Sequence, residues 1–332
     1  MIRIGIFTFL FFFMAITTGY PQSAIQPLDA ELRNYNYFAP SQYITFNIQE
    51  HSYRMAYMDI KPAKPNGKTI LLLHGKNFNG NYWQQTATTL SQNGYRVIIP
   101  DQLGFGKSSK PVDIQYSFHL LARNTKQLLD SLGITQVTIV GHSMGGMLAT
   151  RFALLYPATT HRLILVSPIG LEDYKVYTPY KTTDERFATE MQQTPENIKA
   201  YQQKNYFGGN WKQEYDKLLE VPTGWLMHRD YPVIARSSAL TYDMIFTQPV
   251  VYEFSNLKMP TLLIVGLKDK TAIGKELVSP DTATMMGDYT KLGKNTAKKN
   301  SRIKLKELNT GHLPHIENFD AFIKPLLAFI TR

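Results

Sequence analysis

A serine flanked by glycines lies where an apolar run gives way to a helical pattern. Ser143 is the centre of Gly141-His142-Ser143-Met144-Gly145, which has the form G-x-S-x-G between the runs VTIV and MGGMLATRFAL. So tight a turn strains the serine backbone, and the glycines allow neighbouring backbone to come close. The hydroxyl is then presented at a helix N-terminus, where the backbone N–H of Met144 can donate to an oxyanion. We therefore predict that Ser143 is a nucleophile.

A serine hydroxyl needs a base, and the base needs a carboxylate that orients it. Asp269 ends the segment PTLLIVGLKD, and His312 follows the segment SRIKLKELNTG, so both stand just after apolar runs. Asp101, after YRVIIP, is the rival carboxylate, but within DQLGFGKS it is better placed to brace a glycine turn. We predict that His312 is the base and that Asp269 orients it.

The segment NTGHLPHIENF contains two histidines, His312 and His315. Pro314 suits the first turn of a helix, and the residue before a proline avoids the helical region, so Leu313 should be extended and His312 should lie in the preceding loop. His315 would fall in the first helical turn, where the helix dipole disfavours an imidazolium. We therefore expect His315 to be structural. The i, i+3 spacing could also suggest a metal pair, but no third ligand of matching type stands nearby, and no metal site is predicted.

Short apolar runs alternate with helical patterns along most of the chain. This alternation predicts a mostly parallel sheet covered by helices on both faces, hence an α/β fold. The strand-like segments are Tyr43–Ile48 and Tyr53–Asp59 as an antiparallel pair, then KTILLLHG, YRVIIPD, ITQVTIVGH, HRLILVSP, PTLLIVGLKD and SRIKLKELN. The helical segments between them include Asn81–Asn93, Ser117–Leu132 and Met144–Tyr156.

The alternation stops between residues 171 and 249, where helix signals occur without strands. Thr182 and Glu185 have the spacing of a capping box, and Thr194 precedes Pro195 as an N-cap precedes its first helical residue. About four helices are expected here, inserted between two strands of the sheet. Residues 171–249 are predicted to form a helical cap, and its many tyrosine and tryptophan side chains are expected to serve packing more than ligand binding.

The first 24 residues have the pattern of an export signal, with Arg3 as their only charge and an apolar stretch from Ile4 to Ile16. We predict a signal peptide over residues 1–24 and a periplasmic or secreted protein. Contact with a membrane is then transient, or made through an uncleaved leader. The chain has no cysteine, which excludes disulfides and acylation on cysteine.

The formal charge is +10, and it becomes +9 when Arg3 is removed with the leader. The densest basic cluster lacks interleaved aromatic residues, so it is interpreted as a solvated face and not as a nucleic-acid site. The sequence predicts a polar loop here, and the stretch from Lys291 to Asn300 is expected to elaborate the rim of the site. The cluster comprises Lys291, Lys294, Lys298, Lys299 and Arg302.

Several motifs together resemble those of capped α/β-hydrolases. They are LLLHGKNFNGNYW, DQLGFGKSS, GHSMGGMLATRFALLYP, GLKD and GHLPHIENFDAF, and the resemblance runs from about Ile44 to the C-terminus. It implies an α/β-hydrolase fold with an eight-stranded sheet, a core of residues 25–170 and 250–332, a Ser-Asp-His triad and no cofactor. The family's histidine-glycine turn maps onto His74 and Gly75. The second oxyanion donor would then be the backbone N–H of Lys76, with Asn77 as the alternative.

The serine narrows the reaction that the resemblance implies. Haloalkane dehalogenases and epoxide hydrolases of this fold carry aspartate where Ser143 stands, which excludes an alkyl-enzyme ester. Hydrolysis of a carboxylic ester of a small apolar or aromatic molecule is the leading hypothesis. Carbon–carbon hydrolysis of a ring-cleavage-type diketone is the second. A ligand-binding receptor that keeps the serine, and an exported scaffold that binds membranes through its basic loop, are the hypotheses from other classes.

Overall fold

The structure, a computed structural model, describes residues 25–331, and the predicted signal peptide lies outside them. Eight strands occur where the apolar runs predict them, and the first pair is antiparallel as expected. The strands are β1 (Gln42–Ile48), β2 (His51–Ile60), β3 (Thr69–Leu73), β4 (Arg96–Pro100), β5 (Val137–His142), β6 (Thr160–Val166), β7 (Thr261–Gly266) and β8 (Ile303–Leu308).

The eight strands form one sheet in the order β1-β2-β4-β3-β5-β6-β7-β8. Strand β2 pairs antiparallel with β1 and with β4, and all other pairs are parallel. Strand β3 lies between β4 and β5, so the chain leaves β3 toward one side and later returns to its other side. The loops that follow β3 and β5 therefore diverge at a topological switch point, where α/β sheets form their binding crevices.

Helices cover both faces of the sheet, because the central strands are apolar on both sides. Leu71 and Leu73 of β3 belong to the core on one face, while Ile70 and Leu72 belong to the core on the other. The helices outside the cap are α1 (Gln84–Gln92), α2 (Phe118–Ser131), α3 (Met144–Leu155), α8 (Pro280–Met285), α9 (Tyr289–Lys298), α10 (Pro314–Glu317) and α11 (Phe319–Ile330). Across residues 25–331, no helix combines the length and the apolar character that crossing a membrane requires.

The segment between β6 and β7 contains the helices of the cap. They are α4 (Thr183–Glu190), α5 (Pro195–Tyr206), α6 (Glu220–Leu226) and α7 (Tyr231–Thr247). The predicted capping box is present, since Thr182 Oγ1 accepts from the Glu185 N–H and Glu185 Oε2 accepts from the Thr182 N–H. Thr194 caps α5 with Pro195 as its first residue, also as predicted.

The prediction of a polar loop at residues 291–300 is wrong, because this stretch belongs mainly to helix α9. Tyr289 is buried, and Gly293 lies so close to the sheet that a Cβ there would be 3.1 Å from Leu305 and 3.2 Å from Val265. The helix therefore packs on β7 and β8 and is not an elaboration of the site's rim. Packing of this face supplies the stability that the glycine, asparagine and threonine of the segment do not supply by propensity.

Candidate active site

The turn between β5 and α3 holds Ser143 in a conformation that few residues adopt. Its φ is +55° and its ψ is −121°, and only 6% of the residue is exposed. A Cβ on Gly141 would lie 2.2 Å from the Gly145 carbonyl oxygen, and one on Gly145 would lie 2.3 Å from the Leu73 carbonyl oxygen. Both contacts are with backbone, which cannot move aside as a side chain does. The glycines of the motif are therefore required by packing between β5, α3 and β3.

The predicted base and the predicted carboxylate are in direct contact. The Nδ1 atom of His312 lies 2.7 Å from Oδ2 of Asp269, and both side chains are fully buried. The other carboxylate oxygen accepts from the Thr271 N–H at 2.8 Å, which fixes the plane of the carboxylate. Nε2 of His312 has no hydrogen-bond partner among residues 25–331. An imidazole oriented in this way through Nδ1 leaves Nε2 as the atom that can take up a proton.

The loop that carries His312 ends where it was predicted to end, because helix α10 begins at Pro314. Leu313 lies outside the helical region, as expected, but with φ −115° and ψ 66° it is not fully extended. His312 thus lies in the loop between β8 and α10, and its position at the carboxyl end of β8 is confirmed. Pro314 fixes the helix start because its ring imposes a helical φ and provides no N–H.

A hydrogen-bond network around His142 joins three loops at this edge of the sheet. The Nε2 atom of His142 lies 2.8 Å from the carbonyl oxygen of His312, and its Nδ1 lies 3.0 Å from the Tyr82 hydroxyl, which accepts from the Gly75 N–H at 3.1 Å. Burial, followed by the neighbouring imidazoles of His312 and His315, holds the pKa of His142 well below its usual range. The ring is therefore neutral, with Nε2–H donating to the His312 carbonyl oxygen and Nδ1 accepting from Tyr82.

Sequence reasoning assigned no role to His142 or Tyr82. His142 occupies a variable position of the serine motif, so only its place next to Ser143 could have indicated a role at the site. Nothing in the sequence around Tyr82 indicates such a role.

The loop after β3 passes directly beside the serine. A Cβ on Gly75 would lie 3.1 Å from Ser143 Cβ, so a larger residue here would crowd the serine. The two backbone amides predicted to bind an oxyanion, those of Lys76 and Met144, follow Gly75 and Ser143 in the chain. Neither amide donates a hydrogen bond to another group within the described residues. Both therefore remain available to a ligand at this position.

Residues 68–319 match the family model described as alpha/beta hydrolase fold, which is most of the chain. The chain belongs to the α/β-hydrolase family. It is similar to a probable hydrolytic enzyme from Pseudomonas aeruginosa PAO1, whose crystal structure is 45% identical with a TM-score of 0.90, covering 92% of this chain and 98% of that one. An enol-lactonase from Burkholderia xenovorans LB400 is 19% identical with a TM-score of 0.66, covering 87% of this chain and 100% of that one, and it shows the shared fold alone.

Curated relatives of this α/β-hydrolase are similar over a shorter region. An uncharacterized protein from Mycobacterium tuberculosis is 42% identical over 121 residues, which is 36% of this chain and 34% of that protein. The 2-hydroxy-6-oxo-6-phenylhexa-2,4-dienoate hydrolase of Burkholderia cepacia is 39% identical over 108 residues, which is 32% of this chain and 38% of that protein. The matches thus span little more than a third of the length of these relatives.

The cap of the α/β-hydrolase lies directly on His312, the predicted base. The Tyr206 ring, at the end of α5, stacks on His312 with centroids 4.8 Å apart and planes 27° apart. Around it is a cluster of buried aromatic and aliphatic side chains, as the aromatic composition of the cap predicts. The cluster comprises Phe78, Tyr206, Phe207, Tyr215 and Leu313.

Charged groups where the cap meets the core are paired. Lys76 Nζ donates to Ser238 Oγ at 2.6 Å and lies 3.8 Å from Glu190 Oε1, and Arg186 lies 3.1 Å from Glu276. Burial lowers the pKa of the Lys76 ammonium, and the Glu190 carboxylate opposes that shift. These pairs leave no net charge among the four side chains.

Asp101, the rival carboxylate, braces a turn as expected. Its oxygens accept from the Gly80 N–H at 2.6 Å, the Lys107 N–H at 2.7 Å and the Tyr37 hydroxyl at 2.8 Å. Three donors occupy this carboxylate, and a Cβ on Gly106 would collide with it. Asp101 therefore has a structural role in the α/β-hydrolase.

His315 lies behind the site in an aromatic box. Its ring stacks on Trp83 with centroids 4.5 Å apart, and it lies 5.0 Å from the Tyr82 ring and 4.9 Å from the His142 ring. Burial, with a smaller contribution from His312, lowers the pKa of His315 to about 3. A ring that stays neutral in this box matches the predicted structural role. No group of three potential ligands among residues 25–331 is arranged to hold a metal ion.

Proposed function

We propose that this α/β-hydrolase is an exported serine hydrolase that cleaves an ester of a small apolar or aromatic molecule. Ser143 is the nucleophile, His312 the general base and Asp269 the carboxylate that orients it. The observation that carries the proposal is the 2.7 Å contact of His312 with Asp269 at the sheet edge where Ser143 stands on its strained turn. The rival carboxylate Asp101 does not take this role, because three donors already occupy it.

The proposed reaction is acyl transfer in two steps. Ser143 Oγ attacks the ester carbonyl carbon while its proton passes to His312 Nε2, and the backbone N–H groups of Lys76 and Met144 stabilise the oxyanion. The tetrahedral intermediate collapses, the carbon–oxygen bond to the alcohol breaks, and the alcohol leaves with the proton from Nε2. Water, deprotonated by His312, then attacks the acyl-enzyme and releases the acid and Ser143.

Two features support an apolar or aromatic substrate. Tyr206, which stacks on His312, and Phe78, which packs on Tyr206, are both aromatic. Two pairs of charged side chains join the cap to the core, Lys76 with Glu190 and Arg186 with Glu276. A highly charged substrate would have to break such a pair and pay its desolvation cost.

A second candidate function is hydrolysis of a carbon–carbon bond in a ring-cleavage-type diketone. It is favoured by the relative named as a phenylhexadienoate hydrolase, which is 39% identical over 108 residues. The same serine, base and oxyanion donors would act on a ketone carbonyl instead of an ester carbonyl. A receptor that binds such a molecule without turnover would bind it beside the same side chains.

A fluorophosphonate probe and a substrate panel test these alternatives together. The wild type should be labelled, Ser143→Ala should lose the label, and Ser301→Ala, at an exposed serine before β8, should keep it. Labelling of Ser143→Ala at the wild-type rate would refute the assignment of Ser143 as the nucleophile. Aryl and alkyl esters of graded acyl length, with a 2-hydroxy-6-oxodienoate alongside, separate the two reactions. Saturable binding without turnover of any of them would favour the receptor.

A further inference from the structure

The end of cap helix α5 contacts both loops that the proposed reaction uses. Tyr206 is the last residue of α5, and Gly208 and Gly209 follow it with φ of +58° and +88°. The left-handed glycines stop the helix here. The last carbonyl groups of a helix have no partner within it, so the Tyr206 carbonyl is free to accept from elsewhere.

The Tyr206 carbonyl binds the loop that carries the base. It accepts from the His312 N–H at 2.7 Å. The approach is so close that a Cβ on Gly311 would lie 2.0 Å from the same oxygen. The cap backbone and the His312 loop are therefore fitted to each other at this point, and the Tyr206 ring covers the imidazole that the loop presents.

The Tyr206 hydroxyl binds the other loop. It accepts from Asn77 Nδ2 at 2.7 Å, and Asn77 directly follows Lys76, whose N–H is proposed to bind the oxyanion. Lys76 is itself tied to the cap, because its ammonium donates to Ser238 on α7. Lys76 and Asn77, successive residues of the loop after β3, thus form hydrogen bonds with two different cap helices, α7 and α5.

We propose that Tyr206 is a positioning residue that assembles the site when the cap is docked. Its carbonyl and ring set the place of His312, and its hydroxyl, through Asn77, sets the direction of the Lys76 N–H. The inference rests on the proposed function for the role of these loops. It adds that the cap is a part of the catalytic arrangement and not only a cover.

A double-mutant cycle on the hydroxyl tests the proposal. Tyr206→Phe removes the bond to Asn77, together with the hydroxyl's hydrogen bond to Tyr201, and keeps the ring on His312, while Asn77→Ala removes the bond to Asn77 alone. Each change should lower kcat about fivefold, the effect of one lost hydrogen bond, with KM within about twofold, because the oxyanion donor acts mainly in the transition state. The double variant should be no slower than either single variant. Tyr215→Phe, in the same cap cluster, is the matched control and should leave kcat unchanged.

Hydrogen exchange gives a readout that does not depend on turnover. The peptide that covers residues 75–79 should exchange faster in Tyr206→Phe than in the wild type or in Tyr215→Phe, at equal melting temperature. Multiplying effects in the double variant, or a raised KM with unchanged kcat, would overturn the proposal. If the wild type hydrolyses no ester and is not labelled by a fluorophosphonate, the proposed function fails, and hydrogen exchange alone tests whether Tyr206 is a positioning residue. Unchanged exchange in Tyr206→Phe then refutes the positioning role, and faster exchange supports it.

Discussion

Replacing His315 by phenylalanine should stabilise the protein in acid and change its stability little near neutral pH. The imidazole is buried against Trp83, and neither ring nitrogen has a hydrogen-bond partner among residues 25–331. Burial lowers the pKa of His315 from 6.5 to about 3. Between pH 6.5 and about pH 3, His315 therefore binds a proton in the unfolded chain but not in the folded protein. Stability is lost as the pH falls through this window, and phenylalanine removes that loss.

The size of the effect follows from proton linkage. With a pKa of 6.5 in the unfolded chain, proton uptake favours unfolding by about 2 kcal/mol at pH ~5 and by about 0.1 kcal/mol at pH ~7.5. The folded protein takes up almost no proton at either pH. The substitution should thus raise the free energy of unfolding by about 2 kcal/mol more at the lower pH than at the higher pH. This corresponds to roughly 3 °C in melting temperature for a chain of this size. Any packing cost of the larger ring is the same at both pH values and cancels in the comparison.

The assay is urea unfolding of the wild type and His315→Phe at the two pH values. The variant will still weaken in acid, because burial also lowers the pKa of His74 and of His142. If the stability gained on substitution is less than about 0.5 kcal/mol larger at the lower pH than at the higher pH, the reasoning is refuted, since this would mean that water reaches the folded imidazole.

Three further predictions test the site, the serine turn and export. His312→Ala should lower kcat by at least ~10³-fold with the fold intact, whereas His315→Ala should lose much less; the reverse order at equal stability would contradict the choice of base. Gly145→Ala should cost about 3 kcal/mol or more in urea unfolding, because its Cβ meets backbone, whereas Gly133→Ala, with φ +68° and open space, should cost about 1 kcal/mol; equal losses would argue against the packing explanation. In a Gram-negative host the chain should leave the cytoplasm shortened by about 19 to 24 residues, and N-terminal sequencing of an intact cytosolic form would reject the leader.

The sequence by itself was sufficient for the strands of the sheet, though not for their order, and for the places of Ser143, Asp269 and His312 at strand ends. Buried strands such as β5 and β7 are continuous apolar runs, and that pattern depends only on each strand's own residues. The serine turn, the capping box of α4 and the helix start at Pro314 are local as well, since sterics or hydrogen bonds within a few residues determine them. These features could be predicted because the physical cause lies within the motif.

Contacts between distant residues were decided only in the folded chain. Helix α9 is stabilised by packing on β7 and β8, so its own polar sequence indicated a loop. The network from Gly75 through Tyr82 and His142 to His312 joins residues from three separate loops.

Tyr206 reaches His312 across more than a hundred residues of chain, and nothing local in either segment marks the partner. Hydrogen bonds and ring contacts of this kind depend on where the topology brings side chains together. A short sequence pattern specifies the reactive groups, but the packing of cap on core specifies their surroundings.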